Sequence, residues 1–64
     1  MKLTRLETKA LRILSEGFTA TQAAKTIGTT PSTITFWMSK LRDKYGARNT
    51  THLCVMAQRE GVLK

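Results

Sequence analysis

The chain contains the stretch TATQAAKTIGTTPSTITFWMSKLRDKY at residues 19–45. Thr19 is a typical helix N-cap, and Gly28 is suited to end the helix that starts there. Thr30 followed by Pro31 predicts the start of a second helix, because proline fits the first helical position. Two short helices joined by a tight turn are typical of a helix-turn-helix, whose second helix lies in the major groove of DNA.

The second of these helices has two unlike faces. Apolar residues fall at i, i+4, i+7 and i+11, which places them on one side of a helix that ends at Gly46. This stripe consists of Ile34, Met38, Leu41 and Tyr45. The opposite side carries Ser32, Thr35, Phe36, Ser39 and Asp43, with Lys40 and Lys44 at its margin. We therefore expect the first stripe to be buried and the second to face outward.

The residues before this stretch predict another helix. Thr4 and Glu7 have the spacing of a capping box, and Gly17 is suited to end the helix. Apolar residues recur between these ends at helical spacing. They are Leu6, Ala10, Leu11, Ile13 and Leu14. The buried side of the next helix consists of Ala23, Ala24 and Ile27.

A fourth helix is predicted between Asn49, a good N-cap, and about Glu60, with Gly61 after its end. One of its faces consists of Leu53, Met56 and Ala57, and another of Cys54, Val55 and Gln58. Together these faces exceed the third of a helix surface that a small core needs. Either the core face is broad or the second face pairs with a second copy of the chain, and we favour a twofold dimer contact. We make no prediction for residues 62–64, because chain ends commonly fray.

Length and charge limit what the chain can be. Its 64 residues suffice for one domain, 1–64, and the predicted helices make the fold class all-α. The 11 Lys and Arg residues outnumber the 4 Asp and Glu residues, and the net charge of +7 is spread over the whole chain. Such a charge attracts phosphate polymers. The alternative is a cationic protein without a nucleic-acid partner.

Other classes of protein lack support in the sequence. The single cysteine cannot form an internal disulfide, and no group of His and Cys residues has zinc-site spacing. One His and one Cys without paired carboxylates do not suggest an enzyme. Met1–Arg5 leads into a helix instead of an apolar signal segment, and no apolar run spans a bilayer. We expect a cytoplasmic protein with no cofactor, no metal and no membrane partner.

Three residues need individual interpretation. Trp37 lies between the two faces of the third helix, so it either fills the core or packs against the DNA backbone. His52 falls in the first turn of the fourth helix, where we expect it to be exposed to solvent. Cys54 is expected to be a small apolar residue at a helix contact instead of a redox switch.

Four side chains on the outward side of the third helix are candidates for reading base edges. These base-reading candidates are Ser32, Thr35, Phe36 and Ser39. Hydroxyls contact several bases and discriminate weakly, so DNA shape or paired half-sites would supply the remaining specificity. The phosphate-contact candidates are Thr19, Thr21, Thr33, Lys40, Lys44 and Arg48. The first two lie at a helix start, where free N–H groups favour an anion.

The chain resembles the LuxR/GerE-type helix-turn-helix domains, whose pattern it follows without a gap from Leu3 to Leu63. Residues that stand where that pattern expects them are Leu3, Thr4, Glu7, Leu11, Glu16, Gly17, Ala24, Thr33, Ile34, Leu41, Lys44, Gly46, Asn49, Ala57 and Gly61. The resemblance implies a four-helix transcription-factor domain whose third helix reads DNA and whose fourth helix often mediates dimerisation. The base-contact positions of the family correspond to Thr35, Phe36 and Ser39, and its phosphate-contact positions to Thr19, Thr21, Thr33 and Lys40.

The chain also departs from the family pattern. Leu6 and Thr50 stand where the family usually has Arg. Thr35 stands in place of a frequent Lys, and Trp37 in place of a frequent His. Loss of a lysine from the groove face would weaken binding or change the preferred sequence, so the family's typical operators do not transfer. The receiver or sensing domain that such proteins often carry is absent from these 64 residues, and we expect a stand-alone domain.

The sequence thus predicts a small transcriptional regulator that binds double-stranded DNA and acts by operator occupancy, which blocks or recruits RNA polymerase. It would form a homodimer through Cys54, Val55 and Gln58. The alternative is an adaptor that docks on RNA polymerase or on another regulator. Helix-turn-helix domains of sigma factors look similar over Leu3–Arg42, and fold alone does not determine function.

Overall fold

The computed structural model describes residues 1–63, which form four helices: α1 (Arg5–Ser15), α2 (Ala20–Ile27), α3 (Pro31–Tyr45) and α4 (Thr50–Arg59). These residues contain no strand. α1 and α3 each contact the three other helices, whereas α2 and α4 contact α1 and α3 but not each other. The prediction of an all-α fold with four helices is confirmed.

Side-chain caps start all four helices. In α1 the Thr4 hydroxyl accepts the N–H of Glu7 at 3.1 Å, and the Glu7 carboxylate accepts the N–H of Thr4 at 2.9 Å. In α2, Thr19 and Gln22 form the same capping box, with distances of 3.2 and 2.9 Å. A cap of this kind contributes about 1 kcal/mol. The helix starts therefore follow from local sequence.

The turns after α2 and α3 require glycine. Gly28 has a φ of +90° and Gly46 a φ of +70°, both in the left-handed region that side chains with a Cβ rarely adopt. At the first turn the N–H of Gly28 donates to the carbonyl of Ala24 at 2.8 Å. This turn fixes the direction in which α3 leaves α2.

One apolar core joins the four helices. Leu11, Ile34 and Leu53 are its largest fully buried side chains, one each from α1, α3 and α4. The buried residues of α2 are Ala23 and Ala24, whose small side chains let that helix approach its neighbours closely. The other buried residues are Ala10, Met38, Leu41, Cys54, Ala57 and Leu63. No polar or charged side chain of residues 1–63 is buried, so apolar burial holds the helices together.

One apolar residue lies outside the face that the periodicity predicted, and another is buried in a segment for which no prediction was made. Leu6, predicted to face the core, is 47 % exposed, because α1 turns Leu11 inward and Leu6 lies at the edge of that face. Leu63, at a chain end expected to fray, is only 7 % exposed. The N–H of Val62 donates to the carbonyl of Ala57 at 2.9 Å, and the chain turns back so that Leu63 packs on the core.

Tyr45 has a polar contact beside its packing. It is half-buried at the end of the apolar stripe of α3. Its hydroxyl donates to the carbonyl of Lys2 at 2.8 Å and accepts the N–H of the same residue at 2.9 Å. The N-terminal segment is thereby attached to the C-terminal end of α3.

Leu53→Ala should lower the free energy of unfolding by about 2–5 kcal/mol, because alanine leaves a cavity in the core. A chain of this length has about 3–10 kcal/mol in total, so urea denaturation followed by circular dichroism will show the loss clearly. Val55→Ala is the matched control, since Val55 is 39 % exposed on the same helix. We expect it to change stability by less than about 0.5 kcal/mol. Equal losses of unfolding free energy in the two variants would contradict the orientation of α4, in which Leu53 faces the core and Val55 faces solvent.

Candidate nucleic-acid interface

α3 presents opposite sides to the core and to solvent. Ile34 is fully buried, and Met38 and Leu41 are each 3 % exposed, as the periodicity predicted. Ser32, Thr35 and Phe36 are exposed, and Ser39 is half-buried. We call Ser32, Thr35, Phe36 and Ser39 the reading face. All four base-reading candidates are thus accessible from outside the protein.

The hydroxyls of the reading face differ in the hydrogen bonds that they can still form with an external group. The Thr35 hydroxyl donates to the carbonyl of Pro31 at 3.0 Å, so its oxygen lone pairs remain for an external donor. Within residues 1–63, the Ser32 and Ser39 hydroxyls make no hydrogen bond to the protein. They are free to donate as well as to accept. The face therefore combines one acceptor with two groups that can do both.

Phe36 is the apolar member of the reading face and is 60 % exposed. The ammonium nitrogen of Lys40, one turn further along α3, lies 5.7 Å from the centre of its ring. Lys44 makes a similar contact with the ring of Tyr45 at 5.5 Å. Exposed contacts of this kind contribute about 0.5–1 kcal/mol. They orient the two lysines without withdrawing either charge from solvent.

The phosphate-contact candidates at the helix starts are partly occupied by the protein itself. The N–H and hydroxyl of Thr19 are both engaged with Gln22 in the capping box. The hydroxyl of Thr33 is paired with that of Thr30 at 2.9 Å. Thr19 and Thr21 are both exposed at the start of α2. The Thr19 hydroxyl is engaged in the cap, whereas the Thr21 hydroxyl has no hydrogen-bond partner within residues 1–63.

Arg48 and His52 take part in a contact that sequence reasoning missed. The N–H of Arg48 donates to Nδ1 of His52 at 3.0 Å, just before α4 begins. His52 is half-buried, so the prediction of a solvent-exposed histidine is only partly right. Its ring closes the loop that carries the exposed Arg48. No periodicity in the sequence signals this contact, because it joins a loop amide to a side chain.

The cations of the interface are not neutralised by the protein. In the part of the chain that the structure describes, the one ion pair joins the terminal ammonium of Met1 to Glu60. Lys40, Lys44 and Arg48 are exposed, and none of them has a carboxylate of residues 1–63 within 4.0 Å. Their charges remain available to an external anion.

The structure corrects the predicted dimer face at one residue. Cys54 is 8 % exposed and belongs to the core, and its thiol points to the carbonyl of Leu11 with Sγ at 3.9 Å. Cys54 is therefore a small apolar residue at a helix contact, as expected, because Leu53, Cys54 and Ala57 all face inward from α4. This core position does not suit the dimer contact in which the same residue was placed. Val55 and Gln58 are exposed. Burial raises the pKa of the Cys54 thiol.

Trp37 is half-buried and packs against the core. This contact agrees with the first of its two interpretations, and a contact with the DNA backbone stays a prediction. Among residues 1–63, no three His, Cys, Asp or Glu side chains form a group that could hold a metal ion. Over the same residues, no helix combines the length and hydrophobicity that crossing a lipid bilayer requires.

Comparison with protein families gives one match. The model of the GerE family, described as bacterial regulatory proteins of the luxR family, matches residues 1–57. The chain belongs to the LuxR family. The match covers α1, the whole helix-turn-helix and most of α4. Comparisons with curated proteins and with solved structures found no match.

Membership of the LuxR family gives the interface its functional class. LuxR-type helix-turn-helix domains bind DNA and regulate transcription. The resemblance seen in the sequence is confirmed by the match over residues 1–57.

The burial of Cys54 predicts its chemical behaviour. The thiolate is the reactive form, and the raised pKa disfavours it in the folded chain. At mildly alkaline pH, iodoacetamide should modify the native protein at least about tenfold more slowly than the urea-unfolded protein. Stability should also fall as the pH rises past the ordinary thiol pKa, because the unfolded chain ionises first.

Mass spectrometry of timed samples will measure the modification. The unfolded chain serves as the control, since it contains the same cysteine without its packing. Equal rates in the folded and unfolded protein would show that Cys54 is accessible and would restore it to the outward face of α4.

Proposed function

We propose that this protein binds double-stranded DNA sequence-selectively and regulates transcription by operator occupancy. In this proposal α3 enters the major groove, and the bound protein blocks or recruits RNA polymerase in the cytoplasm without making or breaking a bond. The observation that carries the proposal is the exposed reading face of α3 beside the unpaired cations Lys40 and Lys44. The LuxR family membership of the chain supports it.

The reading face would supply the base contacts. The Thr35 hydroxyl, whose proton is donated to Pro31, offers lone pairs to the amino groups of adenine or cytosine. Ser32 and Ser39 would bind either donors or acceptors on base edges. Hydroxyls of this kind give modest discrimination, so part of the specificity would come from DNA shape or from paired half-sites.

Phosphate contacts would fix the register of α3 in the groove. Lys40 and Lys44 would contact the backbone beside the reading face, and Arg48 would do so from the loop before α4. Thr21 and the free N–H groups at the start of α2 would bind another phosphate, since a helix start favours an anion. In this proposal Thr19 and Thr33 hold their helix starts in place.

Lys40→Ala should weaken binding to all duplexes by the same factor and should lower the slope of log affinity against log salt by about one. Thr35→Ala and Ser39→Ala should instead change the preference among sites, by about fivefold for each hydrogen bond lost. Fluorescence anisotropy with a selected site and with random duplex DNA, over a range of salt, measures both effects.

The same titration tests the proposed function itself. If the double variant Thr35→Ala and Ser39→Ala keeps the site preference of the parent, the reading face is wrongly assigned. If the parent protein binds no duplex even at low salt, the adaptor that docks on RNA polymerase or another regulator becomes the better description.

We also propose that the protein binds DNA as a homodimer through the exposed side of α4. Val55 is 39 % exposed there, and Gln58 lies one turn further along the same side. The support is the unpartnered apolar side chain and the resemblance to LuxR-type domains. A twofold pair would present two copies of α3 to half-sites about one helical turn apart.

Val55→Glu should prevent this pairing, because it places a charge at the centre of the proposed contact. We expect sedimentation equilibrium with operator DNA to show one copy bound instead of two, and the footprint to shorten to one half-site. Leu6→Glu is the matched control, since Leu6 is similarly exposed, at 47 %, but lies on α1. If Leu6→Glu reduces the number of copies bound and Val55→Glu does not, the dimer contact does not lie on α4.

A further inference from the structure

Phe36 is a large apolar side chain without a packing partner in the core. At 60 % it has the highest exposed fraction among the large apolar side chains of residues 1–63. It lies one turn after Ser32 and one turn before Lys40, on the side of α3 opposite to Ile34. The ring does not belong to the core or to the residues packed against it. The ring therefore contributes little to the core and is available to an external partner.

The ring is largely open to solvent. The ammonium nitrogen of Lys40 lies over it, 5.7 Å from the ring centre, and 60 % of the side chain remains exposed. Phe36 thus offers an apolar surface between groups that are otherwise hydroxyls and cations.

Among the groups on base edges in the major groove, one is apolar and could pack against the Phe36 ring. Their other groups are hydrogen-bond donors and acceptors, whereas the C5 methyl group of thymine is apolar. Cytosine has a hydrogen at the same carbon, and 5-methylcytosine has the methyl group. A phenylalanine cannot satisfy a donor or an acceptor, so it would leave these groups unpaired if it met them instead.

We infer that Phe36 reads the C5 methyl group of a pyrimidine, so that the protein distinguishes thymine from uracil and 5-methylcytosine from cytosine at one position of each half-site. This inference rests on the proposed function. The protein would consequently respond to methylation of cytosine in its operator, with the methyl group strengthening binding.

The test replaces single thymines of a selected site by deoxyuridine, which removes the methyl group and leaves every hydrogen-bonding group unchanged. Burial of one methyl group predicts a loss of about fourfold in affinity at the thymine that Phe36 contacts. For Phe36→Ala we expect the affinities for the thymine and uracil sites to be equal. Phe18→Ala, which removes another exposed phenylalanine, 49 % exposed in the loop before α2, should keep the fourfold ratio.

A second set of duplexes places cytosine or 5-methylcytosine opposite guanine at the same position. The parent protein should bind the methylated duplex about fourfold more tightly, and Phe36→Ala should bind the two equally. Thermal unfolding of each variant, followed by circular dichroism, confirms that it is folded. Because Phe36 is exposed, we expect its replacement to leave the melting temperature unchanged.

The inference is overturned if no thymine-to-uracil replacement affects the parent protein, or if the ratio persists in Phe36→Ala. Increased fluorescence of 2-aminopurine beside the site, without a methyl effect, would show instead that the ring inserts between bases. In each of these cases salt-dependent, site-selective binding of the parent would still stand. Absence of any duplex binding, by contrast, would count against the proposed function.

Discussion

Burial of Ile34, Met38 and Leu41 fixes the rotation of α3 about its own axis, and the surface offered to DNA depends on that rotation. Ile34 is fully buried and the other two are almost so. A turn of α3 by one residue would move side chains by about 100° and would bury hydroxyls in place of aliphatic groups. The core contains no polar side chain of residues 1–63 with which such hydroxyls could pair. The shift would therefore bury unpaired polar groups, which is unfavourable. Packing thus determines which side chains α3 presents to solvent.

Two of the four acidic residues of the chain contact groups other than the cations of the proposed interface. Glu7 completes the capping box of α1, and Glu60 contacts the terminal ammonium of Met1. With 4 acidic and 11 basic residues, most positive charges have no internal counter-ion. Repulsion among them lowers the stability of the folded chain, and an anionic polymer would relieve it.

The sequence predicted the features that depend on neighbouring residues. The capping box of Thr4 and Glu7 and the buried stripe of α3 follow from spacing alone. The burial of Leu63 and the exposure of Leu6 did not, and spacing alone could not decide between a core contact and a dimer contact for Cys54. These features depend on how α4 and the chain ends rest on the other helices. A periodic pattern states that a helix has an apolar side but not how far around that side the core extends. Contacts between distant residues, such as the one between Lys2 and Tyr45, leave no periodic trace.

The length of the reading face bears on how many copies must bind. Ser32 and Ser39 are seven residues apart, which is about 10 Å along the helix. That distance corresponds to about three base-pair steps of roughly 3.4 Å each. One copy of α3 would therefore contact only a few base pairs, too few to single out an operator among the many competing sites of a genome. In the proposed homodimer, the exposed side of α4, which carries Val55, would join two chains and so two copies of α3. In the proposed function, selective regulation would then depend on the second copy as much as on the side chains that enter the groove.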